Sequence, residues 1–244
     1  MTPTEAMIQQ LKNLKGKPLQ QKLKYIYTYF GGPIIAALLF LTVGIVLIVQ
    51  MVTAKDTALN VACLNAYPDN DKAASFCNEF AERAQIDLNK CEVIISTNLF
   101  ISESDLTTSF ESVEIIMAQL ASQSMDAMIS DIGTLSQYFY QEIFCDLTEV
   151  LSPEQLACYG EYFLYADMAV LHQIQVPETE VLKYPDPTKP ELMQEPVPIA
   201  LRLPVNSTFV ELYYGYSKEQ VGIGIVINSQ NLSNVLAFID HIME

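Results

Sequence analysis

The side chains with the most reactive chemistry in this chain are two histidines, five cysteines and thirteen tyrosines. His172 and His241 have no cysteine, serine or metal-ligand spacing beside them, and His241, next to Asp240, reads as a surface residue. The sequence contains no G-x-S-x-G elbow, no H-E-x-x-H pair and no Walker loop. Cys63, Cys77, Cys91, Cys145 and Cys158 form neither a C-x-x-C motif nor a zinc spacing. Cys145 and Cys158 can pair under oxidising conditions, whereas Cys63 and Cys91 lie in or beside apolar runs, where a thiol serves as a small hydrophobe. Gly222-Ile223-Gly224 lacks the third glycine of a dinucleotide loop and reads instead as a strand that another group approaches closely. These patterns predict a protein that is not an enzyme and uses no metal or cofactor.

Binding residues are the better expectation. Asp126 and Asp131 bracket one apolar run, so they project at opposite ends of it and cannot act as a carboxylate pair. Ligands of open α/β sheets bind beyond the carboxyl ends of strands. Asp131 and its neighbour Ser130 therefore become candidate ligand contacts, the other reading of Asp131 being a cap for the helix that starts at Ile132. Tyrosine offers an apolar face with a hydroxyl tip, suited to recognition. Tyr138 sits in the cluster Tyr138-Phe139-Tyr140, and Tyr214 in Tyr213-Tyr214-Gly215-Tyr216, which reads as an exposed loop. Tyr159, Tyr162, Phe163 and Tyr165 follow helical spacing and read as core. Asp131, Ser130, Tyr138 and Tyr214 are the predicted ligand-binding set.

These residues need a scaffold, and hydrophobic periodicity supplies one. Strands are expected at 57–67, Cys91–Thr97 and Met125–Ser130, with helices at Asp69–Ala84 and Ser109–Ser122 between them. Strand–helix–strand–helix–strand implies a mostly parallel sheet with helices on both faces. The contiguous Val93, Ile94 and Ile95 suggest a strand buried on both sides. A short helix is expected at Ile132–Tyr140, and Ser152-Pro153 opens another. Met168–Val176 reads as a strand, and the six prolines from Pro177 to Pro198 as an extended connection. Strands at Ile199–Leu203 and Val221–Ile227 precede a closing helix, Leu232–Met243.

Upstream of all this, thirty residues between Lys24 and Lys55 carry no formal charge. Their centre, Ile34–Val52, holds 19 residues, or about 28 Å of helix, close to the ~30 Å hydrocarbon layer of a bilayer. Lys12, Lys15, Lys17, Lys22 and Lys24 precede the span, against Glu5 alone, so the positive-inside rule puts the N-terminus in the cytoplasm. Tyr25, Tyr27, Tyr29 and Phe30 match an interfacial aromatic belt, and Gly31-Gly32-Pro33 can mark the start of the helix. Val52-Thr53-Ala54 is a poor cleavage site, which favours an uncleaved anchor over a signal peptide. The expected organisation is a basic tail (1–28), a bilayer-spanning helix (29–53) and an extracellular domain (54–244). The first 52 residues carry net +4, leaving net −20 on the rest. That acidity argues against nucleic acid or an anionic lipid surface as partner of the outer domain.

The run Gln119–Leu151, QLASQSMDAMISDIGTLSQYFYQEIFCDLTEVL, resembles a segment of the bacterial extracellular solute-binding proteins of ABC importers, with Asp126, Asp131, Tyr138, Asp146 and Leu147 at matching positions. The closing VGIGIVINSQNLSNVLAFIDHIM resembles their last strand–turn–helix unit through Ala237, Phe238, Ile239 and Ile242. The resemblance implies a reduced periplasmic-binding-protein-like α/β fold, and either a small solute or another envelope protein as partner. A cleft walled by Asp131, Ser130 and tyrosines would favour the solute; a flat or filled sheet edge would favour the protein. Protease added to intact cells should remove the C-terminal domain, and a fully protected domain would overturn this orientation.

Overall fold

The computed structural model describes residues 18–102, 106–173, 184–217 and 219–244. The lysines up to Lys17 and the segment 174–183 with Pro177 lie outside the described residues, as do the side chains of Lys22, Lys24, Tyr25, Tyr29, Phe30 and His172. The chain divides into two compact units, one ending at Ala54 and one spanning Lys55–Glu244.

Among the described residues the first unit contains one helix, α1 (Leu19–Thr53). Within it Gly31–Val49 is long and apolar enough to cross a membrane, as an anchor or as a signal segment. Thr42 and Thr53 donate their hydroxyls back to Leu38 O and Val49 O, at 2.8 and 2.7 Å, which satisfies these groups within the helix. Gly31-Gly32-Pro33 does not start the helix; Pro33 lies inside it. Apolar helices tolerate an internal proline where local adjustments re-satisfy the freed backbone groups.

The second unit is an α/β domain on one six-stranded sheet. Its strands are β1 (Asp56–Leu64), β2 (Cys91–Leu99), β3 (Ala127–Asp131), β4 (Phe163–Asp167), β5 (Pro196–Arg202) and β6 (Val221–Ile225), in the spatial order β2-β1-β3-β6-β5-β4. β1 pairs in parallel with both β2 and β3, while the pairings β3–β6, β6–β5 and β5–β4 are antiparallel. Four strands thus run one way, and β4 and β6 oppose them. The helices are α2 (Asn70–Arg83), α3 (Leu106–Ala121), α4 (Ile132–Ser136), α5 (Leu147–Val150), α6 (Pro153–Tyr159), α7 (Met168–Gln173), α8 (Thr208–Tyr214) and α9 (Leu232–Ile242).

Period-two alternation sends the sheet's side chains into two separate cores. Leu59, Val61 and Cys63 of β1, Ala127 and Ile129 of β3 and Ile223 and Ile225 of β6 face α2, α5, α8 and α9. Ala62, Leu64 and Met128 face the opposite way, toward Ile116 of α3, Leu135 of α4 and the cluster Tyr138-Phe139-Tyr140. In the first core Phe76 and Phe80 of α2 meet Phe209 and Phe238 in tilted and edge-on contacts with ring centroids 5.1–6.4 Å apart. Asp69 caps α2 by accepting the N–H groups of Asp71 and Lys72. Ser152 and Gln155 close a reciprocal capping box on α6.

Several expected elements change. β2 is a half-buried edge strand rather than a doubly covered one, because nothing described pairs beyond it. The other edge is covered: the Tyr165 N–H donates to Pro187 O at 2.9 Å. Where a strand is expected at Met168–Val176, the described part is the helix α7, and 174–176 lie outside the described residues. β4 ends just before it, and Asp167 makes the switch by accepting the Ala169 N–H at 3.2 Å. Tyr159, Tyr162, Phe163 and Tyr165 therefore do not share a helix; they run from α6 through a 3-10 turn into β4. The helix after Asp131 ends at Ser136, short of Tyr140. All five cysteines are free thiols, Cys145 and Cys158 included. His241 is no simple surface group: its ring lies 4.9 Å from that of Phe76 and 5.8 Å from that of Phe80. Burial and the neighbouring Arg83 lower its pKa.

The amino end of β3 is closed by Asp126, which is 1 % exposed. It accepts the Asn60 N–H at 2.8 Å, the Ser229 hydroxyl at 2.7 Å and the Asn231 amide at 3.1 Å. On the same sheet Gly222 and Gly224 do admit close neighbours. A Cβ on Gly224 would meet the Phe144 ring at 2.5 Å. Gly224→Ala should therefore cost about 1–3 kcal/mol through overpacking, seen as a lower urea midpoint; an unchanged midpoint would refute the fit.

Candidate functional site

β1 and β3 lie side by side in parallel, so their carboxyl ends open together, where an α/β ligand site is expected. That crevice is filled. Tyr214, the last residue of α8, is 2 % exposed, and its hydroxyl lies 3.0 Å from Leu64 O and 3.1 Å from Ile129 O, one carbonyl from each strand. Burial raises its pKa well above the ordinary range, so the group is a neutral donor to these carbonyls. The expected exposed loop is thus a buried helix end. Ser207 caps α8 by accepting the Val210 N–H at 3.1 Å, and Phe209, Val210, Tyr213 and Tyr214 form its inner face. A serine two residues before an apolar i, i+1, i+4, i+5 pattern is the sequence signal that identifies this helix.

Of the other predicted site residues, Asp131 lies close enough to Tyr214 to add to the rise in its pKa, whereas Tyr138 does not meet it. Ser130 is fully buried and donates to Asp131 Oδ2 at 3.2 Å. Asp131 is half-buried, and its Oδ1 caps α4 by accepting the Thr134 N–H at 2.7 Å. Tyr138 is 5 % exposed and belongs to the opposite core, so the sheet separates it from Tyr214. Burial also raises the Tyr138 pKa.

The accessible chemistry lies just outside the filled crevice. Asn65, in the left-handed region with φ 55°, turns the chain after β1 and accepts the Ile101 N–H at 2.8 Å. Tyr67 follows, its ring 5.0 Å from Phe100 and 5.1 Å from Tyr216, and its N–H donates to Tyr213 O at 3.1 Å. The Tyr216 hydroxyl donates to Asn65 O. Burial, then Tyr67 and Asp131, push its pKa up to about 12. From this aromatic corner a groove of about 690 Å³ extends between α2 and α8. Phe76 and Leu212 are its apolar lining, and Asp69, Asp71, Glu79 and Glu211 outnumber the single cation Lys72. Sequence reading missed this groove because its two walls lie about 140 residues apart in the chain and only folding joins them. Among the described residues no three histidine, cysteine, aspartate or glutamate side chains converge to hold a metal ion.

No known family and no curated protein matches the sequence. A solved structure of the periplasmic binding protein P5PA is similar at 13% identity and TM-score 0.34, over 78% of this chain and 80% of that one.

Replacing the hydroxyl that fills the crevice gives a direct test of its role. Tyr214→Phe should destabilise the domain by about 1–3 kcal/mol, since the one O–H donor that the two carbonyls share is lost. If thermal unfolding were unaffected, Tyr214 would not be the structural plug described.

Proposed function

We propose that this chain is a membrane-tethered, extracytoplasmic docking domain, non-catalytic, with another envelope protein rather than a captured solute as its partner. The observation that carries this reading is the filled crevice. Where a solute would sit beyond β1 and β3, the Tyr214 hydroxyl already occupies the strand-end carbonyls. Beside it lie an open groove along α2 and α8 and a smaller cavity of about 330 Å³ that Leu203, Val210, Tyr214 and Val221 line, and small-molecule sites usually bury most of their ligand. The apolar span Gly31–Val49 supports tethering, and the lysines before it support an inside N-terminus. Two of the candidate reactive groups are engaged within the fold, which supports a non-catalytic role. Cys63 is fully buried with its pKa raised by burial, and Asp240 accepts hydrogen bonds from Tyr159 and Gln155 at 2.8 and 2.9 Å.

Thermal-shift screening of the self-contained unit Lys55–Glu244 against sugars, amino acids and divalent cations tests this reading. A ligand at a hundred times its dissociation constant stabilises by ~2.7 kcal/mol, several degrees in a domain of this size. The expected result is no such shift from any of these classes. Saturable stabilisation by one sugar or amino acid would overturn the docking assignment in favour of solute capture.

A further inference from the structure

The docking reading leaves the chemistry of the partner open, and the groove between α2 and α8 narrows it. Asp71, Ser75 and Glu79 recur every fourth residue on α2, so they line one face of that helix. Asp71 and Glu79 are then about 12 Å apart along the helix axis. Glu211 stands on the α8 wall, with Phe76 and Leu212 between the charged rims. The ion pairs among the described residues are Arg83–Glu244, Lys90–Asp87 and Lys189–Asp186, none of which uses a groove carboxylate. Asp69 is committed to its helix cap, which leaves Asp71, Glu79 and Glu211 facing the groove.

Resting on the docking reading, we propose that this groove receives a lysine- or arginine-rich amphipathic segment of the partner protein. Its apolar side would lie on Phe76 and Leu212, and its cations would meet Asp71 and Glu79 on one wall and Glu211 on the other. The carboxylates are spread along the groove rather than gathered, which suits several cations held along one segment and does not suit a single metal ion. Tyr67 and Tyr216, 62% and 55% exposed, close one end with aromatic faces on which a guanidinium can stack. The net −20 of the sequence beyond residue 52 draws a cationic segment toward this side and repels a second copy of the chain.

The test uses the full-length chain in an uncharged detergent, with a fluorescein-labelled lysine/leucine amphipathic peptide as probe, followed by anisotropy at low and physiological salt. Two variants carry the same change in charge: Asp71→Asn/Glu79→Gln/Glu211→Gln within the groove, and Glu142→Gln/Glu149→Gln/Glu154→Gln outside it. The groove variant should bind about tenfold more weakly or worse, the outside variant within about twofold of the parent, and added salt should weaken the parent. Equal loss in both variants would overturn the groove assignment while leaving the docking reading intact. Absence of peptide binding at low salt would overturn it too. Stabilisation by spermine that is lost in the groove variant, without peptide binding, would overturn both.

Discussion

Burying β3 on both faces of the sheet leaves its ends as the places where backbone polar groups must find partners other than a neighbouring strand. A buried group left unpaired costs about 1–3 kcal/mol, so those ends constrain everything packed around them. The domain closes each end with a side chain from another part of the chain. At the amino end Asp126 gathers donors from β1 and from the turn before α9. At the carboxyl end Tyr214 reaches the carbonyls of β1 and β3 from α8. The positions of α8 and α9 follow from these two closures together with the aromatic packing beneath them. The acidic groove is a by-product of the same constraint: α8 must lie close to α2 to deliver Tyr214, and the outer halves of the two helices form its walls.

Elements with local signals were legible in the sequence. The Asp69 cap, the Ser152-Pro153 start, the parallel β1–β2 and β1–β3 pairings and the close approach at Gly222 and Gly224 follow from residue types and short spacings. Features decided by distant partners were not. The run Val93-Ile94-Ile95 looks the same in a central strand and in an edge strand, and only the strand order shows that β2 lies at the edge. Asp131 and Ser130 were correctly placed at a strand's carboxyl end. What their neighbours would be, a ligand or Thr134 and each other, depends on local geometry that spacing does not specify. At Tyr214 Gly215 and the surrounding tyrosines suggest a loop, whereas Ser207 is the stronger signal and starts a helix.

The division at Ala54 separates two kinds of chemistry. On one side, Thr42 and Thr53 of α1 return their hydroxyls to the helix's own carbonyls, the arrangement a helix would need where no water reached it. On the other, the acidic domain keeps its carboxylates on the surface or gives them donors, as Asp167 shows. Burial alone would raise the pKa of that carboxyl. The N–H groups of Gln194, Glu195 and Ala169 together outweigh burial and hold it below its usual value. Asp167 thereby ties the end of β4 to the approach of β5 most firmly while ionised, and the tie weakens as pH falls through its lowered pKa.

The fit between Gly224 and the Phe144 ring has a consequence for how this domain can change over generations. A side chain at 224 is excluded while the ring is present, and a smaller residue at 144 leaves a hole while 224 remains glycine. Each first step is unfavourable, whereas both steps together can restore the lost volume. The two positions are therefore expected to be inherited as a unit, and lineages of this fold should differ at both or at neither.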